Sequence, residues 1–282
     1  MNIPPVPRGI VAEIVSMTLD EDLGGRGDLT SLATIPHGAR AKFVIAARTD
    51  GVLAGMQAAD EVFDQVDETV DVQWLVRDGG ELQAGATVAR ISGPARSILT
   101  AERAALNFLG RLSGVATLTR RYAAAIAGTG CVVAHTRKTT PGLRALELQA
   151  VRAGGGASHR FGLDDAVLIK DNHVAVCGGA GEAVRRARAF CGHMTRIAVE
   201  IDRLDQLAEV LDAGAESVLL DNFSLDDLRL AVATANGRVT LEASGGVTLE
   251  TIRAIADTGV DLISVGALTH SAPVLDLGLD AV

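Results

Sequence analysis

The stretch that decides the fold is residues 197–221, IAVEIDRLDQLAEVLDAGAESVLLD. Two apolar runs, at 197–201 and 217–220, enclose a segment over Leu204–Ala213 whose apolar residues recur at helical spacing. A strand, a helix and a second strand in this order are typical of a βα unit, in which both strands lie parallel in one sheet. The stretch therefore predicts an α/β fold.

The same alternation runs through the second half of the chain. Further apolar runs lie at 131–134, 166–169, 239–241 and 261–265, and Leu249–Thr258 has a helical pattern. Six runs predict six strands, whereas a closed (β/α) barrel has eight. We therefore predict an incomplete α/β barrel, with a doubly wound open sheet as the competing architecture.

The chain before the first of these runs has a different pattern. Ala41–Arg48 and Val52–Gly55 flank a turn signal at 49–51, which predicts a β-hairpin. Residues 97–114 predict a helix with Thr100 as its N-cap. Short strands followed by one helix are typical of a small α+β domain.

Composition limits the class of protein. The 282 residues carry a formal net charge of −9 and 3% aromatic residues, which does not favour a nucleic-acid partner. No run approaches the length of a membrane-spanning helix, and the N-terminal residues lack the apolar core of a secretory signal. Three cysteines, without disulfide or zinc-site spacing, favour a reducing compartment. We therefore expect a cytoplasmic protein that binds neither nucleic acid nor membrane.

Residues 135–173 concentrate positive charge on this acidic chain. Six Lys and Arg residues fall within them, interleaved with the glycines at 154–156. Such a cluster predicts a pocket for a small polyanion, because opposite charges interact strongly in a partly buried site. The residues predicted to bind this polyanion follow different strands. They are Arg137, Lys138, Arg160 and Lys170, with His159 beside them. Salt bridges to Asp164, Asp165 and Asp171 are the alternative explanation of these charges.

Polar residues also follow the other apolar runs. Glu200 and Asp221 end neighbouring runs, and carboxylates in a cationic pocket suit Mg²⁺ or ribose hydroxyls. Their alternative role is to neutralise nearby Arg and Lys. Ser244–Gly246 and Val265–Ala267 follow the last two runs, where barrel loops often bind phosphate with backbone N–H groups. In a barrel all these residues meet at the carboxyl ends of the strands, where active sites lie.

An ordered set of motifs extends over nearly the whole chain. The motifs are Glu21–Leu23 with Gly27–Thr30, Leu99–Asn107, Thr136–Gly142, Ala150–Gly156 with His159-Arg160, Leu168–His173, Leu219–Asn222, Glu242–Gly246 and Val265–His270. Together they resemble the quinolinate phosphoribosyltransferase family, the decarboxylating nicotinate-nucleotide pyrophosphorylases of NAD synthesis.

The resemblance implies a fold, an assembly and a reaction. The fold is a sandwich-like α+β domain over 1–113 and an incomplete barrel over 114–267, with a C-terminal tail, 268–282, that packs with the first domain. The assembly is a homodimer with shared active sites, and higher assembly is left open. The reaction transfers a phosphoribosyl group from phosphoribosyl diphosphate to quinolinate with decarboxylation. Its products are nicotinate mononucleotide, diphosphate and CO₂, so the protein would be a pentosyltransferase.

Matching positions also imply the roles of the site residues. The residues implied to hold the quinolinate carboxylates are Arg137, His159, Arg160 and Lys170, with Arg103 contributed by a second subunit. Those implied to bind phosphoribosyl diphosphate and its Mg²⁺ are Lys138, Glu200, Asp221, Ser244, Gly245, Gly246, Val265, Gly266 and Ala267, and Thr136 is a further predicted substrate-binding residue. The predicted catalytic residues are Lys138, Lys170, Glu200 and Asp221. Of these, Glu200 and Asp221 are the predicted metal ligands, directly or through water.

Some positions depart from the family pattern. His135 stands where the family usually has an acidic residue, Leu148-Gln149 replace a usual Lys-Tyr, and Ser158 replaces a usual Asn. These departures leave the physiological pyridine acid open. A paralogue that ribosylates another pyridine carboxylate is one alternative, and a non-catalytic phosphate-ligand sensor on the same fold is another. The intact Lys170–His173 segment distinguishes the chain from a relative of this fold that is found with molybdate-transport genes.

Overall fold

The computed structural model describes residues 3–282, which form two compact units. Unit 1 combines the described residues up to Arg120 with Thr139–Gly155 and Ala267–Val282. Unit 2 combines Arg121–Lys138 with Gly156–Gly266. The predicted change of domain near residue 114 falls inside one continuous helix, Ala95–Ala125.

Helices and strands follow one another along the chain in this order: α1 (Arg8–Leu23), α2 (Leu29–Thr34), β1 (Arg40–Ala47), β2 (Gly51–Val52), α3 (Met56–Val66), β3 (Asp71–Trp74), β4 (Glu81–Leu82), β5 (Thr87–Pro94), α4 (Ala95–Ala125), β6 (Val132–Ala134), α5 (Arg144–Ala153), β7 (Val167–Ile169), α6 (Asp171–Cys177), α7 (Ala180–Phe190), β8 (Ile197–Ile201), α8 (Gln206–Asp212), β9 (Ser217–Asp221), α9 (Leu225–Ala235), β10 (Thr240–Ser244), α10 (Ile252–Ala256), β11 (Leu262–Ser264), α11 (Ala267–His270) and β12 (Leu277–Ala281).

Unit 1 contains a four-stranded antiparallel sheet with the strand order β12-β1-β5-β3. The C-terminal strand β12 pairs with β1, so the end of the chain belongs to this sheet. The side chains of Ile45, Phe63 and Ile91 are fully buried in the core of the unit.

Two local predictions in unit 1 are wrong. The turn at 49–51 does not close a hairpin, because β1 pairs with β5 and β12 whereas β2 pairs with β4. Pairing along both edges of β1 satisfies more backbone groups than a short hairpin would. Thr100 is not an N-cap either, because α4 begins at Ala95, directly after β5. Its hydroxyl instead donates a 3.1 Å hydrogen bond to the carboxylate of Asp28.

Unit 2 is built on six parallel strands in the order β6-β11-β10-β9-β8-β7. Sequence order is kept around the sheet, and the last strand, β11, pairs with the first, β6. A doubly wound sheet would reverse its strand order at a switch point. The prediction of an incomplete barrel is therefore confirmed, and within residues 3–282 β6 and β7 do not pair.

The opening between β6 and β7 follows from the path of the chain. Thr139–Gly155, which connects these two strands, belongs to unit 1. After it the chain makes one isolated parallel bridge, from Ala157 to Ala134. The first crossover thus lies outside unit 2, and the barrel has six strands.

Strand β8 shows how the barrel presents polar side chains. Ile197, Val199 and Ile201 are buried, and the alternate residues Ala198 and Glu200 are half-buried. Side chains alternate between the two faces of a strand, so the apolar set faces the helices and Glu200 faces the barrel interior. None of the helices in residues 3–282 combines the length and the apolar composition that crossing a membrane requires.

Candidate active site

A cavity of about 450 Å³ lies in unit 2, at the carboxyl ends of the parallel strands. The predicted site residues that line it are Thr136, Arg137, Lys138, His159, Arg160, Lys170, Glu200, Asp221 and Ser244. They come from five strand ends and from the loop at 159–160. The structure thus brings the cations and the carboxylates of the sequence motifs into one pocket.

Sequence reasoning missed four residues that line the cavity: Leu168, Leu219, Glu242 and Ser264. The first three each lie two positions before a predicted residue on the same chain segment, namely Lys170, Asp221 and Ser244. Because every second side chain of a strand points to the same face, period two was the signal that could have found them.

Six predicted residues lie elsewhere. Gly245, Gly246, Val265 and Gly266 follow β10 and β11 in unit 2 and are outside the set that lines this cavity. In unit 1, Arg103 is an exposed residue of α4 and Ala267 begins α11.

Asn222 connects the end of β9 to the loop after β10. It adopts a left-handed backbone conformation, with φ of 57°, and its side-chain amide donates a 2.8 Å hydrogen bond to Asp221. Its backbone N–H donates to the carbonyl oxygen of Ser244 at 2.9 Å. A Cβ at Gly245 would lie 2.1 Å from the Asn222 side-chain oxygen, and φ there is +100°. Position 245 therefore requires glycine. The hydrogen bond from the Asn222 amide positions the Asp221 carboxylate.

Two arginines in the cavity have incomplete hydrogen bonding. The Nε groups of Arg137 and Arg160 are buried, and no acceptor within the described chain, 3–282, bonds to either of them. Leaving a buried donor unpaired costs about 1–3 kcal/mol, and more when the group is charged. Burial, and then the positive charge of Arg137, lower the pKa of the Arg160 guanidinium. An anionic ligand would relieve both costs.

The carboxylate of Asp165 accepts hydrogen bonds from the backbone of the loop that follows Arg160. Its two oxygens accept the backbone N–H groups of Phe161, at 2.6 Å, and Gly162, at 3.0 Å. Burial would raise the pKa of this carboxyl, but the hydrogen bonds and the charge of Arg160 lower it overall. Asp165 therefore shapes the segment that follows Arg160.

Lys170 forms an ion pair with a carboxylate that lies on the neighbouring strand, β8. Its ammonium group lies 2.5 Å from Oε2 of Glu200, whose side chain is 12% exposed. The Lys170 backbone N–H donates to Nδ1 of His173 at 3.0 Å, which closes the first turn of α6. This contact of His173 is thus structural.

Glu242 is the most buried carboxylate of the cavity, at 5% exposure. Burial would raise its pKa, but contacts with His159 and Ser264 and the charge of Lys170 outweigh burial, so the pKa lies below its usual value. Its Oε2 lies 3.5 Å from Nε2 of His159, and its Oε1 has no hydrogen-bond partner among residues 3–282. The cavity therefore holds an ionised buried carboxylate opposite its cations.

Both ring nitrogens of His159 have protein partners. Nδ1 accepts the backbone N–H of Arg160 at 2.8 Å, and Nε2 faces Glu242. A hydrogen bond from His159 to a substrate carboxylate stays a prediction.

Comparison with known proteins assigns this architecture to a family. Residues 28–113 match the model of the N-terminal domain of quinolinate phosphoribosyl transferase, and residues 115–280 match that of its C-terminal domain. The chain belongs to the quinolinate phosphoribosyltransferase family.

Individual relatives agree over the full length. The probable nicotinate-nucleotide pyrophosphorylase [carboxylating] of Bacillus subtilis is 44% identical over 260 residues, which cover 92% of this chain and 89% of the relative. The nicotinate-nucleotide pyrophosphorylase [carboxylating] of Mycobacterium leprae is 43% identical over 273 residues, which cover 95% and 96%. The structure of the nicotinate-nucleotide pyrophosphorylase from Francisella tularensis superposes with a TM-score of 0.95 at 40% identity, over 100% of this chain and 99% of that one.

The positions that depart from the expected family pattern occupy different places in the structure. Leu148 and Gln149 lie on α5 in unit 1, where the Gln149 amide donates to Pro4 and Gln57. Ser158 is exposed in unit 2. His135 is completely buried directly after β6. His135 also accepts the backbone N–H of His159, which lines the cavity.

Proposed function

We propose that this chain is an enzyme that transfers the phosphoribosyl group of phosphoribosyl diphosphate to quinolinate. The products are nicotinate mononucleotide, diphosphate and CO₂, and the reaction serves de novo NAD biosynthesis in the cytoplasm. The observation that carries the proposal is the pair of buried guanidinium Nε groups, in Arg137 and Arg160, that lack acceptors within residues 3–282. Quinolinate supplies two adjacent carboxylates, which match this need.

The acid binds on the cationic side of the cavity. Arg137 and Arg160 meet its carboxylates through charge-assisted hydrogen bonds, which planar guanidinium groups make in pairs. Lys170 adds a third cation, and His159 lies beside them. Nicotinate, with a single carboxylate, leaves part of this set unpaired, so the cavity favours quinolinate.

The phosphoribosyl group binds in the same cavity, beside the acid. Glu200 and Asp221, at the ends of neighbouring strands, would accept the ribose hydroxyls, and Lys138 and Thr136, which also line the cavity, would bind the phosphates. The loops at 244–246 and 265–267 supply backbone N–H groups to phosphate oxygens, as loops at this place do in other barrels.

Mg²⁺ accompanies the diphosphate. Residues 3–282 contain no group of three or more His, Cys, Asp or Glu side chains that could hold a metal ion by themselves. Two carboxylates on adjacent strands fit a cation that takes its remaining ligands from substrate oxygens and water, which is the usual arrangement for Mg²⁺. Glu200 and Asp221 would hold it, directly or through water. When bound, it neutralises charge on the departing diphosphate.

The chemistry requires positioning and charge from the protein. The pyridine nitrogen attacks the anomeric carbon, so an N–C bond forms as the C–O bond breaks and diphosphate leaves with the electron pair. The ring nitrogen, now positive, stabilises the electron pair left on the adjacent ring carbon when its carboxylate departs as CO₂, and that carbon then takes up a proton. The arginines and Lys170 hold the acid in line for attack in a site of low dielectric constant.

The assay that tests the function follows diphosphate and CO₂ together. With quinolinate, phosphoribosyl diphosphate and Mg²⁺, the purified chain should release the two products in equal amounts. Nicotinate should be a much poorer substrate and release no CO₂. Ribosylation of nicotinate as fast as quinolinate would favour the paralogue instead. Binding of both ligands without turnover would favour the sensor.

The proposal includes a homodimer with shared active sites. Arg103, exposed on α4, would reach the cavity of a second subunit and cap the bound acid. A two-fold axis makes this exchange reciprocal, as isologous interfaces require.

Subunit mixing tests the shared site. Arg103→Ala and Lys170→Ala, each inactive alone, are combined after dissociation and reassociation. About half of randomly formed dimers are mixed, and each then has one intact site, so activity should recover to about a quarter of the wild type. No recovery after proven subunit exchange would mean that Arg103 acts within its own chain or not at all.

A further inference from the structure

The loop that carries Arg160 has an unusual pattern of hydrogen bonds. It lies between the bridge at Ala157 and strand β7 and has no regular secondary structure, so no neighbouring strand pairs with it. Four consecutive backbone N–H groups in it donate to side chains: those of His159, Arg160, Phe161 and Gly162. The side-chain acceptors therefore define the course of this loop and the position of the Arg160 guanidinium.

The first acceptor is His135. Its Nε2 accepts the backbone N–H of His159 at 3.0 Å, and its Nδ1 lies 3.2 Å from the carbonyl oxygen of Thr136. An amide N–H can only donate and a carbonyl oxygen can only accept. Its partners thus assign His135 the neutral form, with the proton on Nδ1 and a lone pair on Nε2.

The second acceptor is His159 itself. Its Nδ1 accepts the N–H of Arg160, which leaves the ring proton on Nε2, 3.5 Å from the Glu242 carboxylate. The two rings lie edge to face, with centroids 6.3 Å apart. A continuous series of contacts therefore runs from buried His135 through the backbone of the loop to Arg160.

We propose that His135 is a positioning residue for the acid-binding arginine. It acts as a neutral hydrogen-bond acceptor that fixes the backbone at 159–160 and thereby the Arg160 guanidinium. It touches no substrate, since it is completely buried and does not line the cavity. The inference rests on the proposed function, because it takes the ligand of Arg160 to be the pyridine acid.

Two substitutions of similar length separate the acceptor from the shape of the side chain. Glutamine can place its amide oxygen near the position of Nε2, whereas methionine fills similar space without an equivalent acceptor. His135→Met should raise the KM for quinolinate about tenfold or more, the size expected when a buried N–H loses its partner. His135→Gln should stay within about threefold of the wild type. The KM for phosphoribosyl diphosphate should change little in both.

A double-mutant cycle with Arg160→Ala shows whether His135 acts through the arginine. If it does, His135→Met should add little to the KM for quinolinate once Arg160 is absent, since the two changes remove the same interaction. An equal additional loss in that background would overturn the proposal. So would equal damage by the Gln and Met variants, or an equal rise in both KM values.

If His135→Met does not fold, a measurement on the unsubstituted protein still tests the assignment of His135 as a neutral acceptor. Nitrogen NMR of the ring-labelled histidines at neutral pH should show one neutral imidazole protonated on Nδ1, and its signal should be missing from His135→Gln. An imidazolium, or a proton on Nε2 of His135, would contradict the assignment. Failure of the proposed function is a separate result, because the wild type would then not turn over quinolinate at all.

Discussion

Half-buried arginines occur in both units of this molecule, and their surroundings differ. In unit 1, Arg111 lies 2.7 Å from Glu147, whose side chain is completely buried. The other Glu147 oxygen accepts the backbone N–H of Thr140, and Arg111 also donates to the carbonyl oxygens of Thr269 and Ala272. In unit 2, Arg137 and Arg160 each have a buried Nε without an acceptor in residues 3–282.

The difference separates a structural charge from a charge that binds ligand. A buried ion pair whose remaining polar atoms are all bonded holds chain segments together, and here it joins α4 to the segments around residues 140 and 270. A guanidinium with a buried, unpaired N–H destabilises the ligand-free fold, and an anion that accepts this hydrogen bond removes the penalty. The two regions should therefore respond to substitution in opposite ways.

The largest effect is expected on the stability of unit 1. Arg111→Ala leaves the Glu147 carboxylate buried without its cation and should lower the free energy of unfolding by about 3–5 kcal/mol. Urea denaturation measures it. The matched control is the double variant Arg111→Met with Glu147→Leu, which should lose less because no unpaired charge remains. A loss below about 1 kcal/mol in Arg111→Ala would remove the contrast between the units.

The second effect appears in substrate use. Arg137→Ala or Arg160→Ala should each lower kcat/KM for quinolinate, with a loss of transition-state stabilisation of about 2–5 kcal/mol. Lys170→Ala should have a similar effect. The free energy of unfolding should not fall, because the substitution removes a buried donor that has no acceptor. Arg185, whose side chain is 58% exposed on α7, supplies the control, since Arg185→Ala should change neither quantity. Near-normal kcat/KM in a folded Arg160→Ala would exclude this arginine from the acid site.

Burial of carboxyl groups in unit 1 makes its stability depend on pH, and the pKa of Asp60 as well as that of Asp78 is raised. Burial raises the pKa of Asp78 from 3.8 to about 6; Asp60 adds to the rise, and N–H bonds from Met56 and Gly55 oppose it. The folded state thus binds more protons than the unfolded state between about pH 4 and 6, and stability falls as pH rises through that window. The change corresponds to at most about 3 kcal/mol at pH 7.

Asp78→Asn should raise the free energy of unfolding at pH 7 and flatten its pH dependence between about pH 4 and 6. Urea denaturation at a series of pH values measures both. The exposed Asp71 provides the control, since Asp71→Asn should leave the slope unchanged. An unchanged slope in Asp78→Asn would show that other groups set the pH dependence.

The smallest effect concerns the carboxylates of the cavity. Glu200→Gln keeps the shape of the side chain and removes the charge that faces Lys170 at 2.5 Å. It should raise the KM for phosphoribosyl diphosphate about tenfold, or about 1.4 kcal/mol, and that for quinolinate less. Steady-state kinetics at saturating Mg²⁺ test this. Equal losses for both substrates, or full activity of the wild type in excess chelator, would contradict the assignment of Glu200 and Asp221.

The sequence predicted unit 2 better than unit 1 for a physical reason. Parallel strands such as β8 and β9 are short apolar runs separated by helices, so the local pattern and the final pairing agree. In unit 1, strand β1 pairs with β5 and with the distant β12. No local turn signal reports such partners, and for this reason the predicted hairpin was wrong.

The candidate site shows the same limit. Lys170, Glu200 and Asp221 are recognisable in the sequence because each is a charged residue at the end of an apolar run, where the active-site residues of barrels lie. Glu242 directly follows the apolar run at 239–241, but the strand continues to Ser244, so the sequence pattern does not show that Glu242 is buried in the cavity. Hydrogen bonds such as that from the Arg160 backbone to His159 depend on loop geometry that no spacing encodes.

One measurement tests the central contrast directly: thermal unfolding of the wild type and of Arg160→Ala with increasing quinolinate. If Arg137 and Arg160 form the acid site, quinolinate at about one hundred times its Kd should stabilise the wild type by about 2.7 kcal/mol. Arg185→Ala should respond like the wild type, and Arg160→Ala should gain almost nothing at the same concentration. Equal stabilisation of wild type and Arg160→Ala would mean that quinolinate binds elsewhere, which would contradict the assignment of Arg160 to the acid site.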